Sequence, residues 1–335
     1  MRICIAGAGA VGGYLAARLA RAGRTVSVLA RGPHLAAIRS RGLTLHSGAE
    51  TFTVELAASD DPAGLGRQDL VVVTAKHPSL PALAERMGPL LGADTPVVFA
   101  MNGVLWFYGD GWEPPGGAAM AAVPRLDPGG VLHREIGVGR ALGMIVYSPN
   151  TVTEPGVVHN EGSRNRFVLG DGTAGPSERA REVGAMLGGA GFELDVTTDL
   201  RRAMWGKLAV NLSTAPLCIL THATSADLVA DADAAVLVRR LVEETTGVAR
   251  AHGFADIGVD PEALSRPGSR PQHKASILQD LELGRPMEID AMLVAVQDLA
   301  RQAGVATPVL DTLLPLVTIR ARMAGLYGLA PAATP

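Results

Sequence analysis

Short apolar runs alternate with segments of helical periodicity over the first 100 residues. The apolar runs are typical of buried strands and lie at residues 2–6, 25–29, 69–74 and 96–100. Between them, residues 10–22 place apolar side chains on one helical face, and residues 80–91 are also predicted to be helical. This alternation predicts βαβ units around a parallel sheet.

The pattern changes twice farther along the chain. Residues 109–138 lack clear periodicity and contain Gly and Pro clusters, so we predict an inserted loop there. Strand and helix patterns return at 141–147, 156–159, 166–169, 177–188 and 192–196. Beyond residue 199 only long helical patterns occur, at 200–222, 232–253, 272–304 and 307–325. We therefore predict an α/β domain with a doubly wound parallel sheet over residues 1–198 and an all-helical domain over residues 199–330.

Composition narrows the classes of function. Lys and Arg (30) do not exceed Asp and Glu (33), and the formal net charge is −3, so a nucleic-acid partner is not expected. The two cysteines, Cys4 and Cys218, support neither a disulfide framework nor a Cys-based zinc site, and no metal is expected. Charges, Gly and Pro interrupt every apolar run of about 20 residues, the N-terminal run included, so neither a membrane span nor a signal peptide is expected. We predict a cytoplasmic protein.

A glycine-rich motif, GAGAVG, joins the first strand to the first helix. In a GxGxxG motif at this place, the first glycine allows a tight turn and the second lets a pyrophosphate approach the backbone. The third permits close packing of the helix on the strand, and the helix N-terminus attracts phosphates. A tight turn without a ligand is the competing interpretation. The motif predicts a Rossmann-type dinucleotide site formed by Gly7, Ala8, Gly9, Ala10, Val11 and Gly12.

Arg31 bears on the choice between two nicotinamide cofactors. NAD sites usually carry Asp or Glu near the end of the second strand, whereas this strand ends Leu29-Ala30-Arg31. An arginine can bind a 2′-phosphate, so NADPH/NADP is favoured over NAD, with an ordinary solvated arginine as the alternative. Lys76 and Asn102 follow later strands, at the sheet edge where ligands of such folds bind. The alternative for both residues is that they only mark the change from strand to loop and bind no ligand.

Two polar clusters lie in the helical half. Lys207 and Asn211 are four residues apart, in WGKLAVN, and therefore project from one helical face. A buried lysine has a lowered pKa and can deliver a proton near neutral pH, whereas a lysine extending to solvent beside a surface Asn is the alternative. In the second cluster, Glu288 and Asp290 follow a proline, a position where acids also simply favour the first turn of a helix.

Together these motifs resemble the ketopantoate reductase (2-dehydropantoate 2-reductase) family. The resemblance rests on GAGAVG, Arg31, Lys76, MNG at 101–103, WGKLAVN and SILQDLELGRPMEID at 276–290, and it covers nearly the whole chain. It implies a Rossmann-type domain followed by a helical domain like the C-terminal domain of 6-phosphogluconate dehydrogenase. It also implies NADPH-dependent reduction of a 2-oxo acid, with 2-dehydropantoate to pantoate, in pantothenate biosynthesis, as the leading reaction.

The resemblance also implies roles for individual residues. Lys207 resembles the general acid, and Glu288 resembles the acidic partner that contacts this lysine or the cofactor. Asn102 resembles a contact to both cofactor and substrate, and Asn211 and Ser276 resemble substrate ligands. The NADP site would comprise residues 7–12 together with Arg31 and Lys76.

Two departures from the family pattern leave the substrate open. Ala215 and Ser225 stand where the family usually has asparagine, and a pocket that loses polar partners favours a different acid. The alternatives are a reductase or dehydrogenase for another 2-oxo or β-hydroxy acid on the same scaffold, and a non-catalytic NADP-binding sensor. The expected partner is a small 2-oxo acid, and the sequence leaves a homodimer open.

Overall fold

The computed structural model describes residues 1–111, 122–172, 175, 177–272 and 274–328. Among the described residues, contacts define two compact units. The first contains residues 1–101, 105–111 and 127–200, and the second contains residues 102–104, 122–126 and 201–328. Two short segments of the helical unit therefore come from within the sequence of the α/β unit. Part of the loop predicted at 109–138, residues 112–121, lies outside the described residues.

The first unit contains two sheets. Its strands are β1 (Arg2–Ala6), β2 (Thr25–Leu29), β3 (Leu43–Ser47), β4 (Glu50–Val54), β5 (Ala57–Ser59), β6 (Leu70–Val73), β7 (Val97–Ala100), β8 (Ala141–Tyr147), β9 (Asn150–Glu154), β10 (Val157–Asn160), β11 (Arg166–Asp171) and β12 (Glu193–Val196). The large sheet has the order β12-β11-β8-β7-β6-β1-β2-β5, and the small sheet has the order β4-β3-β10-β9. In the large sheet β8 and β11 are antiparallel and the other neighbours are parallel, so the sheet is mixed.

Helices cover the sheet and build the second unit. The first five are α1 (Ala10–Arg21), α2 (Gly32–Arg41), α3 (Leu80–Ala84), α4 (Val131–Glu135) and α5 (Glu178–Leu187). The others are α6 (Leu200–Leu212), α7 (Ala215–Thr221), α8 (Ser225–Ala230), α9 (Ala232–Ala251), α10 (Pro261–Ser265), α11 (Ser276–Glu282), α12 (Ala295–Gln302) and α13 (Pro308–Met323). A π-helical segment, Asp290–Val294, leads directly into α12.

The predicted fold class is confirmed, with a Rossmann-type sheet followed by helices. The central strands β6 and β7 are buried at every position, as their unbroken apolar sequences predict. Strands β3, β4, β5 and β9 were not predicted. Strands β4, β5 and β9 contain no fully buried residue, and β3 alternates buried and half-buried residues, so the unbroken apolar pattern that marks the central strands is absent from all four.

Three helical predictions required correction. The pattern over 200–222 contains two helices, since α6 ends at Leu212, α7 begins at Ala215 and a turn lies between them. The helix predicted over 80–91 ends at Ala84, because Gly88-Pro89 form a separate 3₁₀ turn. The pattern over 272–304 contains α11, the π-helical segment and α12, and Gly284 and Pro286 lie in the break after α11. The helical stretch Leu200–Thr221 is, among the described residues, the one long and apolar enough to cross a membrane. Its apolar window is 67% buried inside the protein, which is typical of a core helix as well.

Candidate functional site

The glycine loop between β1 and α1 has a conformation that only glycine allows at two of its positions. Gly7 has φ +113°, and a Cβ there would lie 2.9 Å from the Ala75 backbone nitrogen. A Cβ on Gly12 would overlap the Gly7 carbonyl oxygen and the Thr74 hydroxyl. The Gly7 and Ala8 N–H groups both donate to the Leu29 carbonyl oxygen, at 3.1 and 3.0 Å. These contacts hold the loop against the carboxyl ends of β2 and β6.

The N-terminus of α1 has the features of a phosphate site. Gly9 caps this helix without a side-chain hydrogen bond, and the first turn contains no acidic residue. A Cβ on Gly9 would meet no atom within 4 Å, so the backbone here faces open space that a side chain would fill. Exposed N–H groups and the positive end of the helix dipole therefore suit the pyrophosphate of a dinucleotide.

Two cationic side chains flank this loop. In the register of the sheet Ala6 pairs with Leu29 on one side and with Val73 on the other. Arg31 follows Leu29 by two residues, and Lys76 follows Val73 by three, so both lie at the same sheet edge as the loop. Arg31 is exposed at the N-cap of α2, and Lys76 is half-buried.

Lys207 and Asn211 lie one turn apart on α6, in the second unit, and both are half-buried. The helix packs closely here, because a Cβ on Gly206 would lie 2.7 Å from the Ile257 carbonyl oxygen and Trp205 is fully buried. Burial lowers the pKa of Lys207 from 10.5 to about 8. The ammonium group can therefore both stabilise an anion and release a proton near neutral pH.

The π-helical segment holds Asn102 in the second unit. The Val104 N–H donates to the Ala291 carbonyl oxygen at 2.8 Å, and Gly103, with φ +100°, leaves no room for a Cβ beside Ala291. Asn102 Oδ1 is buried and has no hydrogen-bond partner among the described residues. Such an amide oxygen is costly unless a ligand or solvent donates to it.

Glu288 and Ser276 lie on neighbouring elements of the same unit. Glu288 is half-buried, and its carbonyl oxygen accepts from the Met292 N–H at 3.1 Å, so the glutamate lies two residues before the π-helical segment and is bonded to it. π-Helical turns occur frequently at functional sites. Ser276 is exposed as the first residue of α11.

Thr74 and Arg125 were missed by the sequence reasoning. The Thr74 hydroxyl donates to the Gly7 carbonyl oxygen, and its one sequence signal is a polar residue at the end of an apolar strand. Arg125 donates to Asp290 at 3.1 Å and to Asp298 at 2.9 Å, and the Tyr327 hydroxyl donates to Asp290 at 2.8 Å. Burial and the adjacent Asp290 carboxylate raise the pKa of Tyr327 to about 12. No local pattern reveals partners that are 165 residues apart, as Arg125 and Asp290 are.

Metal ligation is not indicated among these groups. Within the described ranges, no cluster of three or more His, Cys, Asp or Glu side chains could hold a metal ion. The candidate residues thus fall into two sets, a dinucleotide loop with two cations in the first unit and Lys, Asn, Ser and Glu side chains in the second.

Comparison with known proteins agrees with this reading. A model of the ketopantoate reductase PanE/ApbA family matches residues 3–105, and a model of the C-terminal part of that family matches residues 199–321. The 2-dehydropantoate 2-reductase of Mesorhizobium japonicum is 42% identical over 98% of this chain and 100% of the relative. The structure of a candidate ketopantoate reductase from Ralstonia solanacearum has a TM-score of 0.89 and 38% identity, covering 97% of this chain and 99% of that one.

The fold and the glycine loop fit one class of protein, the oxidoreductases that bind a nicotinamide dinucleotide, and the family models and the 42% identical relative place the chain in that class. Within that class the chain belongs to the ketopantoate reductase family, which confirms the resemblance found in the sequence.

One structural neighbour shares the fold alone. A D-mandelate dehydrogenase, determined with NADH and anilino(oxo)acetate, has a TM-score of 0.81 but only 20% identity, over 97% of this chain and 100% of that one. The choice of nucleotide and of acid therefore has to be argued from the residues of this chain.

Proposed function

We propose that this chain catalyses the NADPH-dependent reduction of a 2-oxo acid to a 2-hydroxy acid, with 2-dehydropantoate as the substrate and pantoate as the product. The observation that carries the proposal is Lys207, a half-buried ammonium group whose pKa burial lowers to about 8 on a helix shared with Asn211. The name of the 42% identical relative supports the substrate. A cytoplasmic location remains a prediction from the sequence.

The proposed chemistry assigns one task to each group. Bound NADPH supplies the hydride that reduces the carbonyl carbon. Lys207 stabilises the negative charge that develops on the carbonyl oxygen and then protonates that oxygen. Asn102, Asn211 and Ser276 hold the substrate through hydrogen bonds, for which the buried Asn102 Oδ1 has an acceptor position available. Glu288 is proposed as the acidic partner of this group.

NADPH is proposed over NADH because of the residues at the ends of β2 and β6. The segment after β2 supplies Arg31 and no carboxylate that would repel a 2′-phosphate. Lys76 supplies a second positive charge at the same sheet edge.

A second candidate is the reduction of a different 2-oxo acid. Ala215 is 1% exposed and has no side-chain hydrogen-bonding group, and Ser225 donates to Thr214 at 3.2 Å. Two positions that the family resemblance assigns to asparagine therefore offer less polar contact to 2-dehydropantoate. This arrangement favours an acid with a different distribution of oxygen atoms.

The test is to follow the loss of NADPH absorbance with 2-dehydropantoate and with smaller and bulkier 2-oxo acids. We expect saturable turnover with 2-dehydropantoate at a kcat/KM in the usual enzymatic range of roughly 10⁴–10⁸ M⁻¹s⁻¹. Turnover with another acid alone would keep the reaction class and change the substrate. NADPH binding without turnover of any acid would contradict the proposal and favour a nucleotide sensor.

A further inference from the structure

Arg270 is a half-buried cation beside the helix that carries Lys207. Its Nε donates to the Leu264 carbonyl oxygen at 3.0 Å, and its Nη2 donates to the Ser213 hydroxyl at 2.6 Å. Within the described part of the chain no carboxylate pairs with it. Burial lowers the pKa of this guanidinium, as expected for a cation that is withdrawn from water without a counter-ion.

The guanidinium group has hydrogen-bonding capacity to spare. An arginine side chain has five N–H donors, and two of them are used by Leu264 and Ser213. No nitrogen of Arg270 is both buried and without a partner. Nη1, the nitrogen without a partner among the described residues, is therefore not buried and can donate to solvent or to a ligand.

Arg270 contacts the chain just beyond the C-terminal end of α6. Ser213, its contact, follows the last residue of α6 and comes six residues after Lys207, which lies within that helix. Hydroxyl groups continue beyond it, because Thr214 is 4% exposed and its Oγ1 accepts from Ser225 at 3.2 Å. The two ends of this stretch thus differ, with the proton donor at one end and a guanidinium with hydroxyl groups at the other.

We propose that Arg270 determines specificity by binding an oxygen substituent, a hydroxyl or carboxylate, at the end of the substrate chain away from the 2-oxo acid group. The inference rests on the proposed function, since it assumes that Lys207 marks the reacting carbonyl. Arginine binds such acceptors with two parallel N–H groups, and leaving these groups unpaired disfavours an aliphatic analogue. The substrate class is accordingly a 2-oxo acid with an oxygen atom at its far end.

The experiment compares three acids with the wild type, Arg270→Met and Arg266→Met. 2-Dehydropantoate carries a hydroxyl at the far end, 2-oxoglutarate carries a carboxylate, and 3-methyl-2-oxobutanoate is aliphatic. We expect Arg270→Met to raise the KM of the preferred oxygen-bearing acid by about tenfold or more, since the substrate loses a hydrogen bond to a charged group. The kcat for that acid and both constants for the aliphatic acid should change by less than about threefold. Arg266 is exposed in the same loop, so Arg266→Met removes one positive charge from that loop and is the control for Arg270→Met.

Two outcomes overturn the inference. An equal change for all three acids means that Arg270 only stabilises the end of α6, and no change for any acid means that it contacts no substrate. Arg270→Lys keeps the charge without the planar fork and replaces the Met variant if that variant does not fold, as judged by thermal unfolding and NADPH binding. The expected result for Arg270→Lys is a smaller rise in the same KM.

Calorimetric binding of the three acids to the NADP-saturated protein separates this inference from the proposed function. If the wild type oxidises NADPH with none of the acids, the proposed function fails, but the binding constants of the wild type and the Arg270 variant still test the arginine. A loss of affinity confined to the oxygen-bearing acids supports the inference, and equal or absent binding contradicts it.

Discussion

At the scale of single residues, the proposed reaction depends most on Lys207, the general acid. We predict that Lys207→Met lowers kcat by about 10²–10⁴-fold while the Kd of NADPH stays within about twofold, because general acid catalysis contributes that much and Lys207 is not among the residues proposed to bind the nucleotide. In the wild type the protonated lysine is the active form, so kcat should fall as the pH rises through about 8. Steady-state kinetics from pH 6 to pH 10 (roughly two units on either side of that pKa) measure both effects.

Stability provides the control for this variant. The folded protein binds the Lys207 proton less tightly than the unfolded chain, whose pKa is near 10.5. The charged lysine therefore costs stability at all pH values below about 8, and this cost disappears as the pH rises toward 10.5. At pH 7 the free energy of unfolding of Lys207→Met should equal that of the wild type or exceed it by up to about 3 kcal/mol. Lys274→Met, at an exposed lysine paired with Glu282, should leave kcat unchanged; a similar fall in kcat there would contradict the special role of Lys207.

At the scale of elements, Gly103 couples a short segment to the π-helical turn. Gly103→Ala should lower the free energy of unfolding by roughly 2–4 kcal/mol, since the new Cβ would lie 2.8 Å from Ala291 and the residue has φ +100°. It should also weaken substrate binding by displacing Asn102. Gly304→Ala is the matched control, because Gly304 has φ +65° but open space around it. For Gly304→Ala we expect the free energy of unfolding, measured with urea, to fall by about 1 kcal/mol. Equal losses at both positions would contradict a close contact between Gly103 and Ala291.

The elements that could be predicted are those whose residues are buried on both faces or follow one helical face. The bounds of β1, β2 and β8 match the predicted 2–6, 25–29 and 141–147 because apolar residues end where the strands end. In the small sheet only β10 matches a predicted strand, at 156–159. The others could not be predicted, as β4 shows, since it is largely exposed and its Thr and Glu residues have no distinctive spacing. Propensity likewise gives no sign of the π-helical turn, which depends on packing against residues nearly 190 positions earlier, as the bond from Val104 to Ala291 shows.

At the scale of the whole molecule, the sequence pattern indicates a change near residue 199 but gives no sign that segments are shared between the two parts. The second compact unit contains residues 201–328. Residues 102–104 and 122–126 also belong to that unit through long-range bonds such as Arg125 to Asp290. The glycine loop was predictable because GxGxxG encodes a local backbone shape. By contrast, the environment of Arg270 depends on contacts with Leu264 and Ser213 that no local pattern reports.

The thermal stability of the protein can show which of the two nucleotides binds more tightly. A ligand that binds only the native state raises the free energy of unfolding by RT ln(1 + [L]/Kd), or about 2.7 kcal/mol at 100 times Kd. If Arg31 binds the 2′-phosphate, NADPH should raise the Tm of the wild type more than an equal concentration of NADH. Arg31→Ala should remove this difference.

The same variant should change the kinetics in parallel. Arg31→Ala should raise the KM of NADPH by about tenfold or more, because a charge-assisted hydrogen bond contributes about 1.5–3 kcal/mol, and leave the use of NADH nearly unchanged. Arg41→Ala is the matched control at the other end of α2, where the side chain donates to the Pro155 carbonyl oxygen at 3.2 Å. An equal rise in the KM of both nucleotides in Arg31→Ala would mean that the arginine supports the loop and does not bind the 2′-phosphate. A loss for NADPH alone, seen both in Tm and in KM, would show that the positive charge after β2 selects the cofactor.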